Sequence, residues 1–166
     1  ASYPDGKPAS DKLLRGEALI QRTHADIEAI LKVAHIESPQ TITLLVTPDW
    51  KWQAVGIAAE LADERGRVEM QHLMKMAMSA LPAEARKEAA SFLKQWTLKE
   101  IPTLGPGWAA RYMEQLNETI VLEQAADFLA DAFDCRVIIA AAGDAKDEAA
   151  SKARQAAPLR PAIFVK

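Results

Sequence analysis

The side chains that most often perform catalysis are few in this chain and do not cluster. His24, His35 and His72 lack the spacing of metal ligands, and each is predicted to be a surface or half-buried residue. The single cysteine, Cys135, cannot complete a zinc cluster or an internal disulfide. Gly105-Pro106-Gly107 is too short to cradle a phosphate, and no nucleophile elbow occurs. We therefore expect no catalytic residues, no metal site and no enzymatic activity from this segment by itself.

Basic side chains collect near the C-terminus, and clustered positive charge is what binds a polyanion. From residue 149 onward every charged side chain is basic. These side chains are Lys152, Arg154, Arg160 and Lys166. The net charge of −3 argues against a general nucleic-acid binder. We therefore predict a local RNA contact, with this C-terminal edge as the favoured surface.

A second group of basic residues lies on one predicted helix further upstream. Its members are Arg86, Lys87 and Lys94, with Lys99 and Arg111 nearby. The same pattern also fits a solvated helix face, because Glu84, Glu88 and Glu100 balance the charge. Trp108, which lies near Arg111, has two possible roles: stacking on an unpaired base or burial in the core. Both interpretations stay open at the level of sequence.

The stretch between Tyr112 and Cys135 carries negative charge without any lysine or arginine. Its acidic residues are Glu114, Glu118, Glu123, Asp127, Asp131 and Asp134. We expect this helix to face away from any polyanion. The methionine stripe from Met70 to Met78 allows two interpretations, a plastic binding groove or core packing, and its helical spacing favours core packing.

Length and composition are those of an ordinary globular domain. The chain has 166 residues, of which 49% are hydrophobic and 26% are charged. Residues 1–11 are predicted to be a flexible leader and residues 12–166 a single domain. No apolar run is long enough to span a membrane, and the first residues lack the pattern of a signal peptide. We therefore predict a cytoplasmic protein.

The hydrophobic pattern predicts an α/β fold in which a small sheet of about three strands is packed by several helices. Helices are predicted over about 11–37, 49–65, 70–81, 82–96, 117–133 and 144–156, with a short one around 108–112. Asp49 is the predicted cap of the second helix, and residues 102–107 are a predicted loop. Strands are predicted over 41–47, 136–140 and 161–166. The last two strands and the helix between them should form a C-terminal βαβ unit with a right-handed crossover.

The segment TLLVTPDWKW, residues 43–52, resembles a junction in one family of enzymes. The similar segment joins a strand to a helix in the C-terminal portion of archaeal/eukaryotic-type leucyl-tRNA synthetases, which are class I aminoacyl-tRNA synthetases. The helix before it, here Ile20 to Val33, and the ending from Pro158 to Val165 are similar in pattern and order. The resemblance covers nearly the whole chain from about residue 12. The family's catalytic signatures are absent, as expected beyond its catalytic and anticodon-binding domains.

The resemblance implies a non-catalytic tRNA-binding domain of a leucine–tRNA ligase. In this class of synthetase the C-terminal domain reaches the long variable arm of tRNA-Leu, with contributions from the final residues. Carried to this sequence, that contact falls on Arg160, Ile163, Phe164, Val165 and Lys166. The implied partners are tRNA-Leu and the catalytic body of the parent synthetase, where ATP is used. No cofactor in this segment, no membrane and no DNA are expected.

A second interpretation is a protein-interaction module derived from such a domain. It would dock a partner through the methionine-rich helix or the acidic helix. Trp50 and Trp52 are predicted to be buried anchors rather than base-stacking residues. Removing the last four residues is expected to weaken RNA binding and leave the fold intact, because a terminal edge strand should contribute less core than Trp52.

Overall fold

A computed structural model describes the backbone of residues 7–166 and the side chains from residue 12 onward. The described chain divides into two compact units. We call them the sheet unit, which holds the described residues up to Pro48 together with Leu116–Lys166, and the helical unit, Asp49–Gln115. That residues 12–166 form a single domain thus stays a prediction. The structure distinguishes two compact units within this range. The predicted leader lies partly outside the described residues, and the first helix begins inside its range, at Lys7.

The helices and strands follow one another in an order close to the predicted one. They are α1 (Lys7–Val33), β1 (Thr41–Val46), α2 (Asp49–Leu61), α3 (Met70–Ala80), α4 (Ala83–Lys99), α5 (Ile101–Leu104), α6 (Glu118–Phe133), β2 (Arg136–Ala141), α7 (Glu148–Ala153) and β3 (Ala162–Val165). Short 3-10 helices cover Trp108–Arg111 and Ala142–Asp144. The predicted α/β class, with a three-stranded sheet packed by helices, is confirmed.

The sheet has β1 at its centre, with β2 on one side and β3 on the other. β1 runs parallel to β2 and antiparallel to β3. Leu44 pairs with Ile139 of β2 and with Ile163 of β3. The side chains of Ile42 and Leu44 in this central strand are completely buried.

The prediction of a right-handed crossover between the last two strands is wrong. A strand, a helix and a strand do follow one another as β2, α7 and β3. However, β3 is antiparallel to β1 while β2 is parallel to it, so β2 and β3 run in opposite directions with β1 between them. The handedness rule concerns crossovers between parallel strands, so it does not apply to the connection from β2 to β3.

Aromatic rings form the centre of the helical unit. Trp96 packs edge to face against Trp108 and against Tyr112, with both pairs of ring centroids 5.3 Å apart. All three side chains are buried. Trp52 of α2 is also buried and lies 6.0 Å from the Tyr112 ring. Such pairs add to the hydrophobic stabilisation that the rings provide by area alone.

Three local predictions change in the structure. Asp49 is the first residue of α2 rather than its cap, and its carboxylate accepts a hydrogen bond of 2.8 Å from the side chain of Gln115. The predicted loop contains one helical turn, α5, because Pro102 fits the first turn of a helix. The helix predicted over 144–156 is shorter, and a 3-10 turn precedes it.

Candidate nucleic-acid interface

The basic residues of the C-terminal edge lie on α7, on the segment after it and directly after β3. We define the C-terminal edge as Lys152, Arg154, Arg160 and Lys166, and all four residues are exposed. Lys152 lies in the last turn of α7, where a positive charge complements the helix dipole. The predicted basic edge is therefore accessible to solvent along its length.

An open cavity of about 310 Å³ brings two of these cations together. Lys152 and Arg160 line it beside Ile30, Pro161 and Ala162. α1 adds the carboxylate of Asp26, which lies 4.0 Å from the Arg22 guanidinium. The cavity thus combines two cations, one anion and an apolar wall. Sequence reasoning missed Asp26 and Ile30, because only the packing of α1 brings them here.

Arg160 closes a tight turn that leads into β3. Two backbone hydrogen bonds link it to Ala157, one of 3.0 Å from the Ala157 N–H and one of 2.9 Å from the Arg160 N–H. Leu159, within the turn, has a φ of +61°. The Leu159 N–H donates a hydrogen bond of 3.3 Å to a carboxylate oxygen of Glu118. The turn fixes where the backbone of Arg160 lies.

The final residues differ in accessibility. Ile163 is only 7% exposed and pairs with Leu44, so it belongs to the core of the sheet unit. Phe164 and Val165 are half-buried. Lys166 is exposed, and its backbone N–H donates a hydrogen bond of 2.9 Å to the carbonyl oxygen of Thr41. Of the final four residues, Lys166 offers a ligand the most surface and Ile163 the least.

The second basic set lies on α4 of the helical unit. Arg86, Lys87 and Lys94 are exposed there. Lys87 and Lys94 are seven positions apart and share one helix face. The Arg86 Nε donates a hydrogen bond of 3.1 Å to the Leu81 carbonyl oxygen, which gives this side chain a role in ending α3. Glu88, between the two lysines, is exposed as well, which keeps the solvated-face interpretation open.

The aromatic candidates for base stacking are mostly buried. Trp108 has no exposed surface, and its indole N–H donates to the Gly66 carbonyl oxygen at 2.8 Å, so core burial is the correct interpretation. Nearby Arg111 donates to the Leu104 carbonyl oxygen at 2.7 Å. Of the two predicted buried anchors, Trp52 is buried, whereas Trp50 is only half-buried and packs edge to face on Phe92 with ring centroids 5.6 Å apart.

The methionine stripe flanks the buried line of α3 rather than forming it. Leu73 and Ala77 are completely buried, while Met70, Met74 and Met78 are half-buried and Met76 is 41% exposed. The methionines therefore lie at the edge of the core, and Leu73 and Ala77 form the buried face of α3. An apolar cleft of about 620 Å³ has Met70, Leu98 and Pro106 in its wall.

The acidic stretch is exposed with one exception. Glu114, Glu123, Asp127, Asp131 and Asp134 are exposed, whereas Glu118 is 2% exposed. Charge composition did not reveal this difference, because composition carries no information on burial. In the part of the chain that the structure describes, no three His, Cys, Asp or Glu side chains gather as metal ligands would. None of the described helices has the length and apolarity that crossing a membrane requires.

Curated proteins of one kind match nearly the whole chain, although no family model matches it. A leucine–tRNA ligase of Methanothrix thermoacetophila is 30% identical over 162 residues, which are 98% of this chain and 16% of that protein. A leucine–tRNA ligase of Methanosarcina acetivorans is 35% identical over 90% of the chain. A leucine–tRNA ligase of Pyrococcus abyssi is 31% identical over 90% of it. The chain spans only 14 to 16% of these relatives.

Proposed function

Because the chain belongs to the leucine–tRNA ligase family, as a segment that matches 14 to 16% of its relatives' length, we propose that it is a tRNA-binding domain. It recognises tRNA-Leu, and its target there is the long variable arm. It has no catalytic role, and the catalytic body of the parent enzyme performs the ATP-dependent leucylation in the cytoplasm. The observation that carries this proposal is the solvent-exposed C-terminal edge.

The charge of that edge supports contact with a polyanion. Its four cations are exposed, and the chain from residue 149 onward contributes no carboxylate side chain. Contacts from lysine and arginine to phosphate release counterions and provide a large share of the affinity for nucleic acid. Asp26 is the one acidic side chain lining the cavity, so the local excess of charge there is positive.

The cavity supports recognition of an unpaired nucleotide. Its volume of about 310 Å³ lies at the lower end of ligand-binding cavities, which run from about 300 to 1,000 Å³. Pro161 and Ile30 provide an apolar wall for a base, and Lys152 and Arg160 provide cations for its phosphates. Sequence-specific RNA recognition commonly uses loop bases that are free of pairing, which a long variable arm offers.

The proposal is tested by binding to tRNA-Leu with and without its long variable arm. We expect tighter binding to the complete tRNA, and equal affinity for both would overturn the variable-arm proposal. Lys152→Ala and Arg160→Ala should each weaken binding and lower the salt slope by about 0.7 to 0.9, the value for one phosphate contact. Lys75→Ala on α3 is the matched control, because it removes one exposed charge outside both basic sets. Lys87→Ala with Lys94→Ala tests the second set separately.

A protein-interaction module is the second candidate, and α6 provides the observation in its favour. Ile120 is 51% exposed and Phe128 58% exposed on this acidic helix. Large apolar side chains on a surface are typical of docking sites when they are contiguous. Apolar docking changes little with salt, whereas RNA binding weakens steeply as salt rises. Salt-insensitive binding to a protein, with no affinity for tRNA, would favour the second candidate.

A further inference from the structure

The turn before β3 has a backbone conformation that needs outside support. Leu159 has a φ of +61°, in the left-handed region that residues with a Cβ rarely adopt. That conformation costs about 1 to 2 kcal/mol for an L-residue. The two hydrogen bonds between Ala157 and Arg160 close the turn but do not involve the N–H of Leu159 itself. The partner of that N–H therefore lies outside the turn.

That partner is Glu118, the buried member of the acidic stretch. Its side chain is 2% exposed, and a carboxylate oxygen accepts the hydrogen bond of 3.3 Å from the Leu159 N–H. Burying an acidic side chain is costly unless polar partners compensate. Glu118 is also the first residue of α6, where the helix dipole favours a carboxylate. The hydrogen bond and the position at the start of α6 both favour a carboxylate here.

A second side chain contacts the residue that precedes the turn. The Thr47 hydroxyl, itself buried, donates a weak hydrogen bond of 3.5 Å to the carbonyl oxygen of Ala156. Ala156 has no exposed surface. The turn is thus supported on one side by Thr47, the residue that follows β1, and on the other by Glu118 of α6. Its far end, Arg160, lines the cavity together with Lys152.

We infer that Glu118 is a positioning residue for RNA contact: it holds the turn from Ala157 to Arg160, and thereby places Arg160 beside Lys152 at the cavity. It does this without touching the RNA. The inference rests on the proposed function, since the ligand it serves is the phosphate backbone of tRNA. Glu118, an acidic residue, would thus support the binding of an anion, although its own negative charge would repel that anion.

Two substitutions of similar size separate the hydrogen bond from the charge. Glu118→Gln keeps a side-chain oxygen for the Leu159 N–H, and we expect tRNA-Leu affinity to stay within about twofold of the wild type. Glu118→Met removes the acceptor, and we expect affinity to fall about fivefold and the salt slope to drop by about 0.7 to 0.9. Adding Leu159→Gly to Glu118→Met should restore part of the affinity, because glycine adopts positive φ without a Cβ penalty.

Asn117→Ala is the matched structural control. The Asn117 side chain caps α6 by accepting from the Ile120 N–H at 3.3 Å, so this variant weakens the same helix end without touching the turn. We expect it to lower thermal stability and to leave tRNA affinity unchanged. Hydrogen exchange at the Leu159 amide should accelerate in Glu118→Met and not in Asn117→Ala.

The possible results are distinct. If the wild-type chain has no affinity for tRNA-Leu, the proposed function fails, and exchange at Leu159 alone decides whether Glu118 holds the turn. If the wild type binds and Glu118→Met binds equally well, the positioning inference is overturned while the proposed function stands. Equal losses in Glu118→Gln and Glu118→Met would also overturn it, because the charge and not the hydrogen bond would then matter.

Discussion

The indole N–H of Trp108 donates a hydrogen bond of 2.8 Å to the carbonyl oxygen of Gly66. The two residues are far apart in sequence, and this bond ties the turn between α2 and α3 to the aromatic centre of the helical unit. On the other side of the turn, the Asp63 carboxylate accepts the backbone N–H groups of Arg65 and Arg67 at 2.8 and 2.9 Å. These hydrogen bonds keep the pKa of Asp63 below its usual value.

Gly66→Ala should destabilise the helical unit strongly. Gly66 has a φ of +76°, and a Cβ there would lie 2.7 Å from the Pro106 carbonyl oxygen and 2.9 Å from the Trp108 ring. Backbone strain and overpacking together predict a loss of about 2 kcal/mol or more in the free energy of unfolding. Urea unfolding, followed by tryptophan fluorescence, measures it.

Gly107→Ala is the matched control for that substitution. Gly107 has a φ of −89°, and a Cβ there would meet no atom within 4 Å. We expect its free energy of unfolding to stay within about 0.5 kcal/mol of the wild type. Equal effects of the two alanines would contradict the role assigned to the Gly66 turn.

Lys51→Met should remove a pH dependence of stability at alkaline pH. Lys51 is 5% exposed, its ammonium lies 4.9 Å from the Phe92 ring centroid, and burial lowers its pKa from 10.5 despite the opposing charge of Glu88. The unfolded chain therefore binds more protons between the lowered pKa and 10.5. Stability contributed by Lys51 rises with pH across that window, is fully present above 10.5, and is lost as pH falls through the lowered pKa.

The measurement is the difference in unfolding free energy between the wild type and Lys51→Met from pH 7 to 11. We expect this difference to shift in favour of the wild type as pH rises. Glu88→Gln removes the charge that raises the pKa of Lys51, so the rise should begin at lower pH. A difference that is independent of pH would show that the Lys51 ammonium titrates alike in both states.

Cys135 should react slowly with iodoacetamide. Burial raises the pKa of its thiol above 9.0, and the negative charge of Asp134 raises it further. Because the thiolate is the reactive form, alkylation at pH 8 should be slower than in the urea-unfolded chain. Asp134→Asn should speed the reaction roughly twofold, because it removes the negative charge that raises the pKa of the thiol. Asparagine also tolerates the left-handed conformation of residue 134, at φ +50°, so the backbone should not change. Asp131→Asn, an exposed neutralisation on the same helix, should have less effect.

Removal of residues 163–166 should destabilise the sheet unit, which differs from what the sequence led us to expect. The deletion removes buried Ile163 and most of β3. We expect a loss of about 3 kcal/mol or more in unfolding free energy, as for other truncations of core side chains. Lys166→Ala keeps the backbone bonds to Thr41 and should leave stability within about 0.5 kcal/mol. Thermal unfolding of both variants tests this, and an unchanged truncated chain would contradict it.

The kind and order of most elements follow from local patterns, whereas their pairing does not. The run from Thr41 to Val46 is apolar and β-branched, so its burial as a strand is predictable. The direction of β3 is not, because a strand's pattern is the same whichever way it runs. The basic residues Lys152 and Arg160 are visible as a charge cluster, but Asp26 reaches their cavity only through long-range packing. Burial of Glu118 depends in the same way on a turn formed by residues far along the chain.

The pairing of Thr41 with Arg136 has a consequence for how the protein folds. The whole helical unit lies in sequence between these two residues, so β1 and β2 meet only after a long loop has closed. Helical segments with local contacts form faster than strands paired across such a distance. In refolding experiments, therefore, we expect formation of the sheet, with its strand order β2-β1-β3, to be the slow step. A helical unit that has already collapsed would shorten the loop that must close before β1 and β2 can pair.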